Sequence, residues 1–275
     1  MISDYSKTVE HIRTELSNYI KANGLKALVI GISGGIDSAL VAALTKPVCE
    51  QLNIPLIGRS ITIETNKENE IVRAKHVGEA YTNNFKEVDL TEAYLDFKRH
   101  VMENEQEENR DSRHFKIRTG NLKARIRMTA LYDLAAKHKG MVMSTDNYTE
   151  LLLGFWTLHG DVGDYGAIQN IWKTEVYEMS EFLIKTNPNI REARALSMCI
   201  EAIPTDGLGI TDSDLEQIGA ETYFEVDEIL IKYLKNPDNK ELKSHPVIQR
   251  FINSEYKRTN PYNLARKHIT DLPLF

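Results

Sequence analysis

The chain has 275 residues, 40 acidic and 34 basic, a formal net charge of −6, and 41% hydrophobic residues. That size and composition suit one globular domain and exclude disorder as the overall state. The acidic balance argues against a polynucleotide partner, which needs cations to meet its phosphates.

The elements then read in order. Tyr5, Val9, Ile12, Leu16 and Ile20 fall on one helical stripe, and Gly24 is placed to end it. Ala27 to Ile32 is a short continuous apolar run, which suits a buried parallel strand. A Ser/Gly turn follows, then a helix from Ala39 to Leu52, a strand within Ile54 to Ile63, a helix from Glu68 to Tyr81 and a strand from Phe85 to Leu90. Thr91 to about Met102 predicts a helix, and the charged stretch Glu103 to Arg113 a surface loop. Leu122, Ile126, Ala130 and Leu134 space out another helix, Met141 to Ser144 a fourth strand, and Gly160 to Gln169 a loop. Helices are expected over Val176–Ile184, Leu215–Ile218, Tyr223–Tyr233 and Val247–Tyr256, and an extended tail from Thr259. This alternation predicts an α/β fold, a parallel sheet with helices on both faces and a helical C-terminal part. The expected organisation is a single unit over 1–275, its core over about 24–186 and its helical part and tail over about 190–275. Cys49 and Cys199 stand outside any CxxC or CxxH pair, so no zinc or iron–sulfur site is expected. Reduced thiols, the lack of an apolar run of ~20 residues and the lack of a signal segment together predict a cytoplasmic protein without a membrane partner.

Ligands of such sheets bind beyond the carboxyl ends of the strands. The loop after the first strand is Gly31, Ile32, Ser33, Gly34, Gly35, Ile36, Asp37 and Ser38. Its glycines bring backbone N–H groups close to an anion, and the next helix adds a partial positive charge. Ser33 and Ser38 offer hydroxyl donors. Asp37 repels a bare polyphosphate but accepts a Mg²⁺ set between carboxylate and phosphate; otherwise it is a helix cap. Neither GxxxxGK[ST] nor GxGxxG is present.

The stretch SGGIDS resembles the signature of the PP-loop ATP pyrophosphatases, which split ATP into AMP and pyrophosphate and adenylate an acceptor. Arg118 to Met128 is similar to the GNxKARxRM segment of the NAD synthetases, and Ser144 to Phe155 to their strand-to-helix ATP segment. Gly160 to Asp164, Ile171 to Val176, Pro204 to Leu208 and Glu255 to Arg258 resemble their GDGxxD, LYKTxV, PTDGL and EHKR elements in the same order. The chain is identified as resembling the ammonia-dependent NAD synthetases, with a Rossmann-like adenine nucleotide alpha hydrolase fold.

That resemblance implies a ligase that amidates deamido-NAD with ammonia, using ATP through an adenylated intermediate. It implies Mg²⁺ on Asp37 and Glu150, and ATP on residues 31–38, Thr145, Lys173 and Thr205. Asp161 is implied beside the reacting carbonyl, and as an acceptor for a proton of ammonia. Asp161, Lys173 and Thr205 form the implied catalytic set. Deamido-NAD is implied on Arg125, Leu158, Asp164, Tyr256 and Lys257, at a site completed across a homodimer. Leu158 and Tyr256 stand where many members carry Lys and His, and Asn147 replaces a frequent His. Two alternatives are a different PP-loop enzyme, such as a tRNA-modifying one, and a non-catalytic nucleotide-binding module. The former would be expected to carry a basic region and catalytic cysteines; the latter has no use for Asp37 with Glu150.

Overall fold

The computed structural model describes residues 1–64, 66–102, 112–202, 215, 218–265 and 268–269. Its elements are α1 (Tyr5–Asn23), β1 (Leu28–Gly31), α2 (Ile36–Leu52), β2 (Leu56–Thr62), α3 (Glu68–Tyr81), β3 (Asn84–Asp89), α4 (Thr91–Val101), α5 (Arg113–Lys137), β4 (Met141–Ser144) and α6 (Tyr148–Leu153). Beyond these lie β5 (Tyr165–Gly166), α7 (Lys173–Thr186), α8 (Ile190–Ile200), α9 (Tyr223–Lys235), α10 (Lys240–Lys243), α11 (Pro246–Asn253) and α12 (Glu255–Arg258). The strands form one sheet in the order β3-β2-β1-β4-β5, with every pair parallel. The α/β class expected from the sequence is therefore observed. No helix among the described residues is long and apolar enough to cross a membrane.

Strand periodicity divides the core between the two faces. Leu28, Ile30, Leu56, Met141 and Met143 join residues of α1, α2, α3, α7 and α8 in one buried cluster. Their neighbours Ala27, Val29, Ile57 and Val142 face the other way, against Met128, Leu131 and Ala135 of α5. A third cluster gathers Leu152 and Leu153 of α6 with Tyr223, Val226, Leu230 and Tyr233 of α9 and with Val247 and Ile248 of α11. The short helix α6 thus lies between the sheet and the C-terminal helices.

Local chemistry explains the element ends. Asp4 caps α1 by accepting from Lys7 N at 3.0 Å, and Gly24 closes it at φ 62°. Pro47 sits inside α2 and cannot donate to the Ala43 carbonyl. Arg13 of α1 supplies that missing donor, 3.2 Å from Ala43 O and 3.3 Å from Leu44 O.

Several expectations shift. The fifth helix starts at Arg113 rather than near Leu122, capped by Ser112, which accepts from Phe115 N. Most of the stretch expected to be a surface loop, residues 103–111, lies outside the described residues. The helix expected over Val247–Tyr256 is two short helices broken at Ser254. β5 lies where a loop was expected, because Asp164 N donates to Val142 O at 2.8 Å and draws the chain alongside β4. α8 has no counterpart in the sequence reading. Residues 216–217 of the helix expected over Leu215–Ile218, and the end of the tail, are outside the described residues.

Candidate active site

The strand order reverses between β1 and β4, since β2 and β3 lie on one side of β1 and β4 and β5 on the other. The loops leaving β1 and β4 therefore diverge and leave a crevice at their carboxyl ends. A cavity of about 260 Å³ occupies it. Its lining includes Ser33, Gly35, Asp37, Thr145, Asp146, Glu150, Asp161 and Lys173.

The loop after β1 is held by its own side chains and by α3. Ser33 Oγ and Ser38 Oγ lie 3.0 Å apart; Ser38 Oγ donates to Gly35 O and accepts from Ser33 N. Gly34 sits at φ +83°, and a Cβ there would come within 2.3 Å of Glu70 O. Only glycine meets both demands. Arg73 of α3 donates to Gly34 O at 2.9 Å and lines the same cavity.

The cap of α2 is Gly35, not Asp37. That removes the cap reading of Asp37, whose carboxylate turns to side chains instead. Asn147 Nδ2 donates to Asp37 Oδ1 at 2.8 Å, and Lys173 Nζ to Asp37 Oδ2 at 2.5 Å. The same ammonium reaches Glu150 Oε1 at 3.2 Å. Asn147 and Glu150 form the capping box of α6, so one carboxylate both closes the helix start and faces Lys173. Lys173 occupies the first turn of α7, where the helix dipole disfavours a cation. Its side chain is 2% exposed. Burial pulls the ammonium towards neutrality, but Asp37 and Glu150 outweigh it and hold the Lys173 pKa well above the usual range. Burial pushes Glu150 up, against the pull of Lys173. Asp146, accepting from Ser144 Oγ at 2.7 Å, is pushed up to about 7 by burial and then by the charge of Asp161. Asp161 accepts from Thr157 N at 2.7 Å, and burial raises it too.

Asp37, Asp146, Glu150 and Asp161 thus line one cavity, with the Lys173 ammonium in contact with Asp37 and Glu150. Asp37 and Glu150 already share one cation and are hard oxygen donors. Among the described residues no group of three or more His, Cys, Asp or Glu is arranged to hold a metal. Two carboxylates with room for phosphate and water suit Mg²⁺ rather than a metal needing a full protein cage.

The structure brings together Asp37, Thr145, Glu150, Asp161 and Lys173, while Thr205 lies outside the described residues. The residues implied for the dinucleotide fall outside this cavity. Arg125 is exposed and donates to Leu158 O at 3.1 Å. Lys257 donates to Gly154 O at 2.6 Å and to Trp156 O, and Tyr256 is exposed. Asp164 braces the sheet, accepting from Tyr132 OH and Val142 N at 2.9 Å each. The sequence reading missed Asp146, Arg73 and the bridging role of Asn147. The spacing of Asn147 and Glu150 signals a capping box; Arg73 has no local signal.

A family model described as NAD synthase matches residues 8–261. An NH(3)-dependent NAD(+) synthetase of Methanosarcina acetivorans is 31% identical over 94% of this chain and 97% of its own. One of Trichlorobacter lovleyi is 33% identical over 89% and 82%. Among solved structures, an NMN synthetase from Francisella tularensis superposes with a TM-score of 0.76 at 24% identity, covering 96% of this chain and 98% of that one. An NH3-dependent NAD synthetase from Campylobacter jejuni, in complex with nitrate, gives 0.69 at 23%, over 95% and 100%. At those identities the two structures speak for the fold.

Proposed function

The chain belongs to the NAD synthase family, and from that premise we propose that it makes NAD from deamido-NAD, ammonia and ATP by the following division of labour. The nicotinate carboxylate attacks the α-phosphorus of ATP. The bond to the β-phosphate breaks, pyrophosphate leaves, and an acyl-adenylate remains. Ammonia then attacks the activated carbonyl carbon, AMP leaves, and the nitrogen gives up a proton. Adenylation is needed because a carboxylate is a poor electrophile and oxide a poor leaving group.

The observation that carries this reading is the buried Lys173 ammonium set between Asp37 and Glu150, at the carboxyl ends of β1 and β4. The first step redistributes negative charge over phosphate oxygens, so a fixed ammonium and the N–H groups of the loop are the stabilising devices. Asp37 and Glu150 would hold Mg²⁺, which when bound neutralises phosphate charge. Thr145 and Thr205 complete the ATP set, and Arg73 adds a guanidinium against the loop. Asp161 is assigned the proton from ammonia; this half-buried residue lines the same cavity, and a raised pKa makes it a better acceptor.

Arg125, Leu158, Asp164, Tyr256 and Lys257 are assigned to the dinucleotide, at a site finished by a second subunit. Exposed Phe97 and Val101 of α4 and Ile117 and Tyr132 of α5 support a homodimer. Free, buried Cys49 and Cys199 support a cytoplasmic setting. The test is a coupled count of pyrophosphate and NAD with ATP, Mg²⁺, ammonium and deamido-NAD. Both products should appear in equal amounts. Pyrophosphate release with tRNA instead of deamido-NAD, or ATP binding with no release, would overturn the assignment.

A further inference from the structure

Asp227 is 2% exposed, on a helix outside the sheet, and no motif of the ATP site includes it. Its Oδ1 accepts from Thr149 Oγ1 at 2.5 Å. Its Oδ2 accepts from Thr174 N at 2.9 Å and from Thr174 Oγ1 at 2.8 Å. Thr149 Oγ1 in turn accepts from Lys173 N at 2.9 Å. Thr149 precedes Glu150 in the first turn of α6, and Thr174 follows Lys173 in the first turn of α7. One carboxylate therefore binds the starts of both helices that carry the buried ion pair. Tyr223 lies one turn earlier on α9, and the Lys173 ammonium sits over its ring, 5.1 Å from the centroid.

The arrangement has a physical reason. N–H groups in the first turn of a helix have no partner within it, and the dipole there favours an anion. The start of α7 meets the buried carboxylate through Thr174 N, and the start of α6 meets it through the Thr149 hydroxyl. α6 has only six residues, too few to fix its own position. The hydroxyl that ties α6 to the start of α7, Thr149 Oγ1 on Lys173 N, is itself oriented by Asp227, which also holds Thr174, so Asp227 spans the two helices. We propose that Asp227 is a positioning residue for the ATP-activating pair, holding Lys173 and Glu150 in register from α9. The role rests on the reaction assigned above.

D227N keeps the shape but turns an amide donor towards hydroxyl and amide donors that need an acceptor. T149V removes the hydroxyl that links Asp227 to Lys173 N while leaving Asp227 in place. Both are measured by rapid-quench pyrophosphate release, KM for ATP and thermal melting, each in the native background and with K173M. The expected result is a fall of about tenfold or more in the release rate, since small misplacements at a reacting centre have large effects on rate. KM for ATP should change less than about threefold, and neither substitution should slow K173M further, because the ammonium they position is gone. If D227N fails to fold, T149V decides. Native release rates in both folded variants would overturn the role. So would an equal loss with and without Lys173, which marks a merely structural network. A native chain that releases no pyrophosphate overturns the assigned reaction and this role together.

Discussion

Asp161 is the residue on which the two half-reactions separate. Its carboxyl lines the ATP cavity, yet its assigned proton arrives only after pyrophosphate has left. D161N keeps the shape and the bond from Thr157 N while removing the base. Pyrophosphate release should persist and NAD formation should fall about a hundredfold, within the range for losing a general base. Raising the pH supplies more free ammonia and should partly rescue D161N but not K173M. Equal loss of both products without rescue would place Asp161 in the ATP site instead. Asp146 gives a second expectation, on stability. Burial and then Asp161 raise it to about 7, above the ordinary carboxylate value. Between pH 4 and 7 the folded chain therefore holds a proton that the unfolded chain releases. Stability from this group is full at pH 4 and is lost as pH rises through about 7. D146N has no such proton, so its melting temperature should fall less between pH 5 and pH 8, by several degrees at ~2–4 °C per kcal/mol. Identical falls in the two proteins, without ATP or Mg²⁺, would contradict the shift.

At the scale of elements, the site depends on how α6 is held at both ends. Its start carries the capping box and the link to Asp227. Its far end presents carbonyls to the C-terminal helices: Leu152 O to Arg258 at 2.5 Å, Leu153 O to Arg250 at 3.1 Å and Gly154 O to Lys257 at 2.6 Å. Cations at the negative end of a helix are electrostatically favoured. R258A should therefore lower stability by about 1.5–3 kcal/mol, the usual worth of a hydrogen bond to a charged group. Calorimetry checks the melting, and slower pyrophosphate release should accompany it, since α6 carries Glu150. G34A makes the complementary point in the loop after β1. A Cβ there meets the backbone of α3, so ATP affinity should collapse by more than tenfold while the sheet survives. How much of this was legible follows from the range of each interaction. The strands β1, β2 and β4 and the loop at Gly34 to Asp37 are local signals, apolar runs and small residues in sequence. β5 is two residues long and exists through its partner strand, so no periodicity reveals it. Asp227 meets Thr174 and Thr149 at separations of 53 and 78 residues, and nothing near it in the chain points to either.

For the molecule as a whole, the dinucleotide residues assigned by resemblance cluster on the surface around residues 154–158, outside the ATP cavity, apart from Asp164, which is bound to β4. A closed two-fold dimer, the commonest assembly, would bury such a surface together with the apolar side chains of α4 and α5. Light scattering should give about 63 kDa, twice the 31.4 kDa chain. An active monomer at working concentration would contradict it. The source of nitrogen follows from chemistry of the same kind. Taking ammonia from glutamine requires a nucleophile, and the usual one is a thiolate. The sequence holds two cysteines, both buried. Burial, followed by a nearby charge on Glu50 for Cys49, pushes each thiol up to about 12, so neither is ionised at neutral pH. Ammonium should therefore support NAD formation and glutamine alone should not. Free ammonia is the attacking species, so at fixed total ammonium and saturating ATP the rate of amidation should climb with pH from 7 to 9. The check is NAD formation with each nitrogen source, after glutamine has been freed of contaminating ammonium. Turnover on glutamine that disappears in C49S or C199S would show a reactive thiol where burial argues for an inert one, and the assignment of ammonia as the donor would fall.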